Sequence, residues 1–274
     1  MFKYIKDSFN LTNKYIILAT PLILFSLLLS LYILVISSSN MIFALMFAFA
    51  LVILMIAAFL SGWFGMVKDC ISKDDFEDPN LLIKNFSSGV GEYFLSVLGM
   101  IFNVFVLSAL IVLAAYFTGM KFIGDIGITP EALSKSMESV TTMKEFLLSL
   151  SDTQLLKLNL WNLLLFASMS VTYFLFMFYP PALFFKTKNP FKALVASFKD
   201  LFCRKFFLNL ALYLMIFITY FVLSIFTTIF GMNVIMHFVF TLINFYYLVF
   251  IAVLVFNYYY INFVKIGGNL DEKV

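Results

Sequence analysis

The chain has 274 residues, 63% of them hydrophobic and only 12% charged, and its mean hydropathy is +1.03. That composition excludes an ordinary soluble domain, which carries roughly 25% charged residues, and a formal charge of +3 is too small and too dispersed for a nucleic-acid surface. Two distant cysteines and a single histidine argue against a disulfide framework or a structural zinc site, so no metal or cofactor is expected.

Met1 to Lys14 is polar, with Lys3, Lys6 and Lys14, and leads into an uncharged run that makes the first span, about 15–39. The run is too long for a signal-peptide core of about 7 to 15 apolar residues and lacks a small-residue cleavage site. Pro21 near its start is expected to bend it, because the ring removes a backbone donor. Only Ser37-Ser38-Ser39-Asn40 separates it from a second span, 41–67, so the two form a tight hairpin. The second span carries Ala44 and Ala48, then Ala57, Ser61 and Gly65, at spacings of four that let another helix approach closely.

The polar connection Lys68 to Glu92 contains an acidic patch, Asp74, Asp75, Glu77 and Asp78, and a helix start in which Asp78 caps and Pro79 takes the first position. A third span, 93–117, follows. The polar stretch 118–157 holds two capping boxes, Thr142 with Glu145 and Ser151 with Gln154, and a Thr129-Pro130-Glu131 start, which predict two or three short helices. The fourth span, 158–185, passes through Pro180-Pro181. Next comes Asn189 to Lys205, with Asn189 as cap and Pro190 at the first helical position. Phe191, Leu194, Val195, Phe198, Leu201 and Phe202 recur there at spacings of three and four, with Lys192, Lys199, Asp200 and Arg204 on the other side. Such a helix lies in the membrane interface. Spans five and six, 206–230 and 233–264, are joined by a turn at Gly231.

The fold class read from this order is an all-α polytopic membrane protein, one domain over 1–274. It has six transmembrane helices, amphipathic interfacial helices on the cytoplasmic side and a helical outer loop between spans three and four. Even parity puts both termini on one side. Of the 18 lysines and arginines only Lys121, Lys135, Lys144 and Lys157 fall on the opposite side, so the termini are expected in the cytoplasm, with the chain multi-pass in an inner membrane. Cys70 and Cys203 then lie on the reducing side as free thiols. Trp63, Trp161 and the run Tyr258-Tyr259-Tyr260 are expected in the interfacial belts. The segments before spans one, three and five share a pattern, an apolar stretch with Phe9, Phe86 or Phe198 and then Tyr15, Tyr93 or Phe206 opening the span, closest between Phe2-Lys3 with Ser8-Phe9 and Phe191-Lys192 with Ser197-Phe198, which suggests three units of interfacial helix plus hairpin.

No Asp, Glu, Lys or Arg falls inside the six proposed cores, which disfavours ion-coupled transport. Neutral polar residues remain, and Asn103, His237, Thr241 and Asn244 are the candidates for an intramembrane polar path, with helix packing as their plainer use. Neither a nucleophile elbow, a zinc-protease motif nor a phosphate loop is present, so no catalytic residue is assigned and the chain is not expected to be an enzyme. Lys192, Lys199, Arg204 and Lys205 are the candidates for binding lipid head groups.

Two stretches carry a family likeness: Pro190, Ala193, Leu194, Ser197 and Phe198 after an apolar span, and a tyrosine-rich last span ending in Gly267 or Gly268 with Leu270, Asp271 and Glu272. In these the chain resembles the six-helix bacterial membrane proteins related to the membrane domain of glycerophosphoryl diester phosphodiesterases. In place of the acidic residue those proteins often carry before the proline, this chain has Lys186 and Lys188. The resemblance implies six helices without catalysis of their own, the phosphodiesterase activity of some members residing in a separate soluble domain that is not expected here. The function expected is that of a non-enzymatic membrane protein assisting lipid, envelope or export processes, with membrane lipids as partners. The alternative is a permease-like subunit that passes a small or amphipathic solute, working with another membrane protein or an ATPase subunit.

Overall fold

The computed structural model describes residues 1–36, 42–72, 80–136, 139–230 and 233–265. The Ser37–Asn40 turn, the acidic patch with its Asp78-Pro79 start, the Gly231 turn and the Gly267–Glu272 motif lie outside the described residues. Among those described the chain is helical with no strand, and six stretches are long and apolar enough to cross a membrane: Ile16–Ile36, Phe47–Ser72, Leu82–Phe122, Asp152–Phe185, Phe206–Phe230 and Val234–Lys265, with mean hydropathies of 1.6 to 2.6. The protein is an all-α polytopic one. Its residues fall into two compact units, Met1–Asn103 with Leu175–Val274, and Val104–Phe174.

In the first unit, α1 (Phe2–Lys14) is an amphipathic helix that ends at Tyr15, and a 3-10 turn (Ile16–Leu18) leads into α2 (Ala19–Ile36). The chain therefore breaks before Pro21, which sits in the first turn of α2 where the leading N–H groups have no intrahelical partner, so it bends nothing. Helix α3 (Ile42–Ser72) pairs with α2 through Phe25 stacked on Phe59, 4.2 Å between centroids, and through Trp63, whose Nε1 donates to the Leu18 carbonyl at 2.9 Å. Trp63 is buried.

Helix α4 (Asn80–Phe122) is continuous over 43 residues, about 65 Å at 1.5 Å per residue. The amphipathic segment expected ahead of span three is thus the first turns of the span's own helix. The small-residue stripe of α3 works as its spacing suggests: a Cβ at Gly89 of α4 would stand 2.9 Å from the Ser61 carbonyl oxygen and 3.2 Å from the Gly62 Cα. Gly62, which the spacing missed, gives way to the Phe86 ring.

The second unit is built by the latter part of α4 with α5 (Pro130–Ser136), α6 (Val140–Ser149) and α7 (Asp152–Phe176). Gly124 and Gly127 take φ of +75° and +73° in the loop after α4. α7 holds that loop: Lys157 Nζ donates to the Asp125 carbonyl at 2.6 Å and Trp161 Nε1 to the Gly124 carbonyl at 3.1 Å. The Ser151–Gln154 box forms, the Ser151 N–H donating to Gln154 Oε1 at 3.1 Å. The other does not: α6 starts three residues earlier, on Ser139, whose side chain accepts from the Thr142 N–H.

Back in the first unit, the expected fourth span is interrupted at 177–178, and α8 (Tyr179–Phe185) begins with Pro180 and Pro181 in its first turn. Two prolines inside one continuous helix would remove two bonds and clash with preceding carbonyls, whereas in a first turn neither N–H is needed. Helix α9 (Pro190–Leu201) follows with the expected cap, Asn189 Oδ1 accepting from the Lys192 N–H at 3.1 Å. Helices α10 (Phe206–Phe230) and α11 (Val234–Tyr259) complete the unit, and α11 continues as a π-helical segment, Tyr260–Lys265. α11 is central: α1, α2, α3, α8 and α10 all pack on it.

Candidate functional site

The end of α11 where α1 and α9 meet it is the most polar part of the first unit's interior. Tyr258 and Tyr259 are fully buried, and their hydroxyls have partners inside the protein that water would otherwise supply. Tyr259 donates to Asp200 Oδ2 of α9 at 2.5 Å, and Lys186, in the turn after α8, donates to both oxygens of that carboxylate at 3.0 and 2.7 Å. With its side chain only 15% exposed, Asp200 needs this pairing, because a largely desolvated charge is tolerated only with an opposite charge and hydrogen bonds. Tyr258 donates to Asn209 Oδ1 of α10 at 2.8 Å, and Asn209 Nδ2 donates to the Asp200 and Leu201 carbonyls at 3.1 and 2.9 Å.

A second arm runs through Asn262 of the π-helical segment. Its Oδ1 accepts from Lys205 Nζ at 2.8 Å and from the Tyr4 hydroxyl at 3.3 Å, while its Nδ2 donates to the Tyr258 carbonyl at 2.8 Å. Asn257 donates to the buried Ser8 hydroxyl at 3.1 Å, and the Tyr4 ring meets the Tyr258 ring edge-on at 5.2 Å. The ammonium groups of Lys186 and Lys205 lie 6.0 and 5.9 Å from the Phe263 ring centre, within cation–π range. The cluster thus fastens α1, α9 and α10 to one end of α11, with its donors and acceptors paired. That arrangement holds helices; it offers no free base and no activated nucleophile.

The outer side of α9 is different. The residues buried against the bundle are Ala193, Ser197 and Leu201, while Phe191, Val195 and Phe202, on the apolar side that the sequence reading lays in the membrane interface, are 64%, 53% and 57% exposed. The small side chains let α9 close onto α8, where Tyr179 donates to the Pro190 carbonyl at 2.9 Å. The large ones are left outward beside Lys192 and Lys199, which are exposed. Phe191, Lys192, Val195, Ala196 and Lys199 line a shallow open groove of about 370 Å³.

Of the four basic candidates, then, Lys192, Lys199 and Arg204 are exposed, and Lys205 is part-buried with its ammonium on Asn262. Of the polar-path candidates, buried Asn103 donates to the Tyr179 hydroxyl at 2.8 Å, tying α4 to α8. His237, Thr241 and Asn244 sit on α11, His237 exposed in the second turn. Thr241 donates to the His237 carbonyl at 2.8 Å, and Asn244 to the Phe240 carbonyl at 3.0 Å and to Thr227 of α10 at 3.4 Å. Asp200, which the sequence reading sets with the lysines on the polar side of α9, is turned inward to Tyr259 and Lys186, and Asn209, Asn257 and Asn262 went unassigned in the sequence. Their signal was a polar group inside an apolar run, which demands a partner but does not say which. Compared with known proteins, the chain matches no family model, no curated protein and no solved structure.

Proposed function

We propose that the chain is a non-enzymatic protein of a bacterial inner membrane, with cytoplasmic termini, that assists lipid, envelope or export processes by engaging anionic lipid head groups through α9. The observation that carries this reading is the outer face of α9, where exposed Phe191, Val195 and Phe202 adjoin exposed Lys192 and Lys199. Aromatic and aliphatic groups of that kind sit at the boundary of the acyl chains, and lysines beside them meet phosphates. Asp200, the one acid of α9, is turned inward and paired with Lys186, so it does not offset the outer lysines. Each basic residue near an anionic leaflet contributes about 1 kcal/mol, and three exposed ones give a preference of about two orders of magnitude. Asn103 and Asn244 bond to neighbouring helices and Thr241 to a carbonyl of its own, so the proposal does not run through them.

The test is lipid retention. Protein extracted from membranes mixed in phosphatidylglycerol and phosphatidylethanolamine is purified and its bound lipid quantified, beside a K192Q/K199Q/R204Q variant. The variant is expected to lose its excess of phosphatidylglycerol, and retention of that excess unchanged would sink the reading.

A further inference from the structure

Helix α1 copies α9 in more than sequence. Shifting α1 by 189 positions places Phe2 on Phe191, Lys3 on Lys192, Ser8 on Ser197 and Thr12 on Leu201. The first two pairs are exposed and the last two fully buried in both helices. Phe2 is 89% exposed. At 100° per residue, Phe9 and Phe2 stand at one edge of the outward arc, with Lys6, Asn10 and Lys3 following, all exposed. The inward arc is fixed to α11 by Ser8 and Tyr4, so the outward one has a set orientation.

We infer that α1 is a second membrane-surface helix, seating Phe2 and Phe9 at the acyl boundary of an anionic phospholipid leaflet and Lys3 and Lys6 on its phosphates. Charge selects the occupant: the exposed arc carries lysines and no carboxylate, since Asp7 lies at its far edge and is half-buried, and an anionic leaflet complements that arc over its length. The inference rests on the α9 proposal for which leaflet is met, but on α1's own residues for the contact. Asn262 accepts from both Tyr4 of α1 and Lys205 in the turn after α9, so one side chain ties the first surface helix and the exit of the second to the same end of α11.

The experiment places an environment-sensitive fluorophore on Phe2→Cys, and separately on Val195→Cys as the α9 probe, in a Cys203→Ser background; Cys70 is buried and stays unlabelled. The full chain is reconstituted in vesicles of phosphatidylcholine alone or with a third phosphatidylglycerol, and quenching by bromolipid is compared with quenching by aqueous iodide. The position 2 probe is expected to be quenched by bromolipid, more strongly with phosphatidylglycerol, and K3Q/K6Q is expected to abolish that anionic increment while leaving the position 195 probe unchanged. Iodide quenching of position 2 that is the same in both lipids overturns the inference, as does shielding that disappears on dilution of protein in the vesicles, which would mark a second copy as the occupant. Failure at position 195 with success at position 2 would remove the α9 proposal and leave this one.

Discussion

Asn209 shows how much one side chain near the start of an apolar helix can carry. Helix α9 ends at Leu201, so the carbonyls of Asp200 and Leu201 belong to its last turn and have no intrahelical partner. Asn209 reaches back from α10 and donates to both, while accepting from the buried Tyr258 hydroxyl. It is a cap supplied by the following helix. Asn209→Leu keeps the volume but strands a buried hydroxyl and two carbonyls, and we expect a loss of about 2 to 4 kcal/mol. Asn244→Leu in α11 removes one bond within its own helix and one 3.4 Å contact, and should cost about 0.6 kcal/mol. Unfolding by sodium dodecyl sulfate in mixed micelles would read both, and equal effects would contradict the capping role. Lys205 makes a second case. Because it and Tyr4 donate to one oxygen of Asn262, Tyr4→Phe and Lys205→Met are expected to be non-additive by about 0.5 kcal/mol or more in the same assay. Strict additivity would mean that Lys205 is held by something other than Asn262.

At the scale of whole helices, packing here depends on where side chains are missing. Since a Cβ at Gly89 would stand 2.9 Å from the Ser61 carbonyl, backbone against which little can give, Gly89→Ala must push α3 and α4 apart. The expected loss is about 1 to 3 kcal/mol. Gly91, two residues on, has nothing within 4 Å of the same position, and Gly91→Ala should gain up to about 1 kcal/mol from helix propensity. The pair separates a steric effect from the general dislike of helices for glycine, and a loss of the same size at both would remove the close-crossing argument. The α3 stripe was legible because small residues at every fourth position have few other uses. The Asn189-Pro190 start and the Ser151–Gln154 box were legible because caps are local chemistry. What was not legible involves partners far along the chain: Asn257 with Ser8, Tyr258 with Asn209, Lys205 with Asn262. Which side of α9 closes on the bundle was not legible for a related reason. In a lipid environment an apolar face has two acceptable neighbours, protein or acyl chain, and only the small Ala193 and Ser197 decide which side closes on α8.

For the molecule as a whole, the charge distribution is the basis of the proposed orientation. From Phe206 to Val264 there is no Asp, Glu, Lys or Arg, so the turn between α10 and α11 carries nothing that opposes its passage through a bilayer. The other end of those helices adjoins α1 and α9, with Lys3, Lys6, Lys192, Lys199 and Arg204 exposed. Translocating that end would carry its lysines and arginine across the bilayer, and by the positive-inside rule we propose that it stays in the cytoplasm. Single cysteines test this within one unit: Asn10→Cys on the exposed arc of α1 and Val234→Cys, 84% exposed at the start of α11. In intact cells a membrane-impermeant maleimide is expected to label position 234 and to reach position 10 only after permeabilisation. The reverse pattern would invert the protein, put α1 and α9 against the outer leaflet, and take from the lysines the anionic surface they are proposed to meet. Because the two positions lie on helices fastened together by Asn257, Tyr258 and Asn262, labelling of both from one side would contradict α11 as a spanning helix, and with it the six-span count.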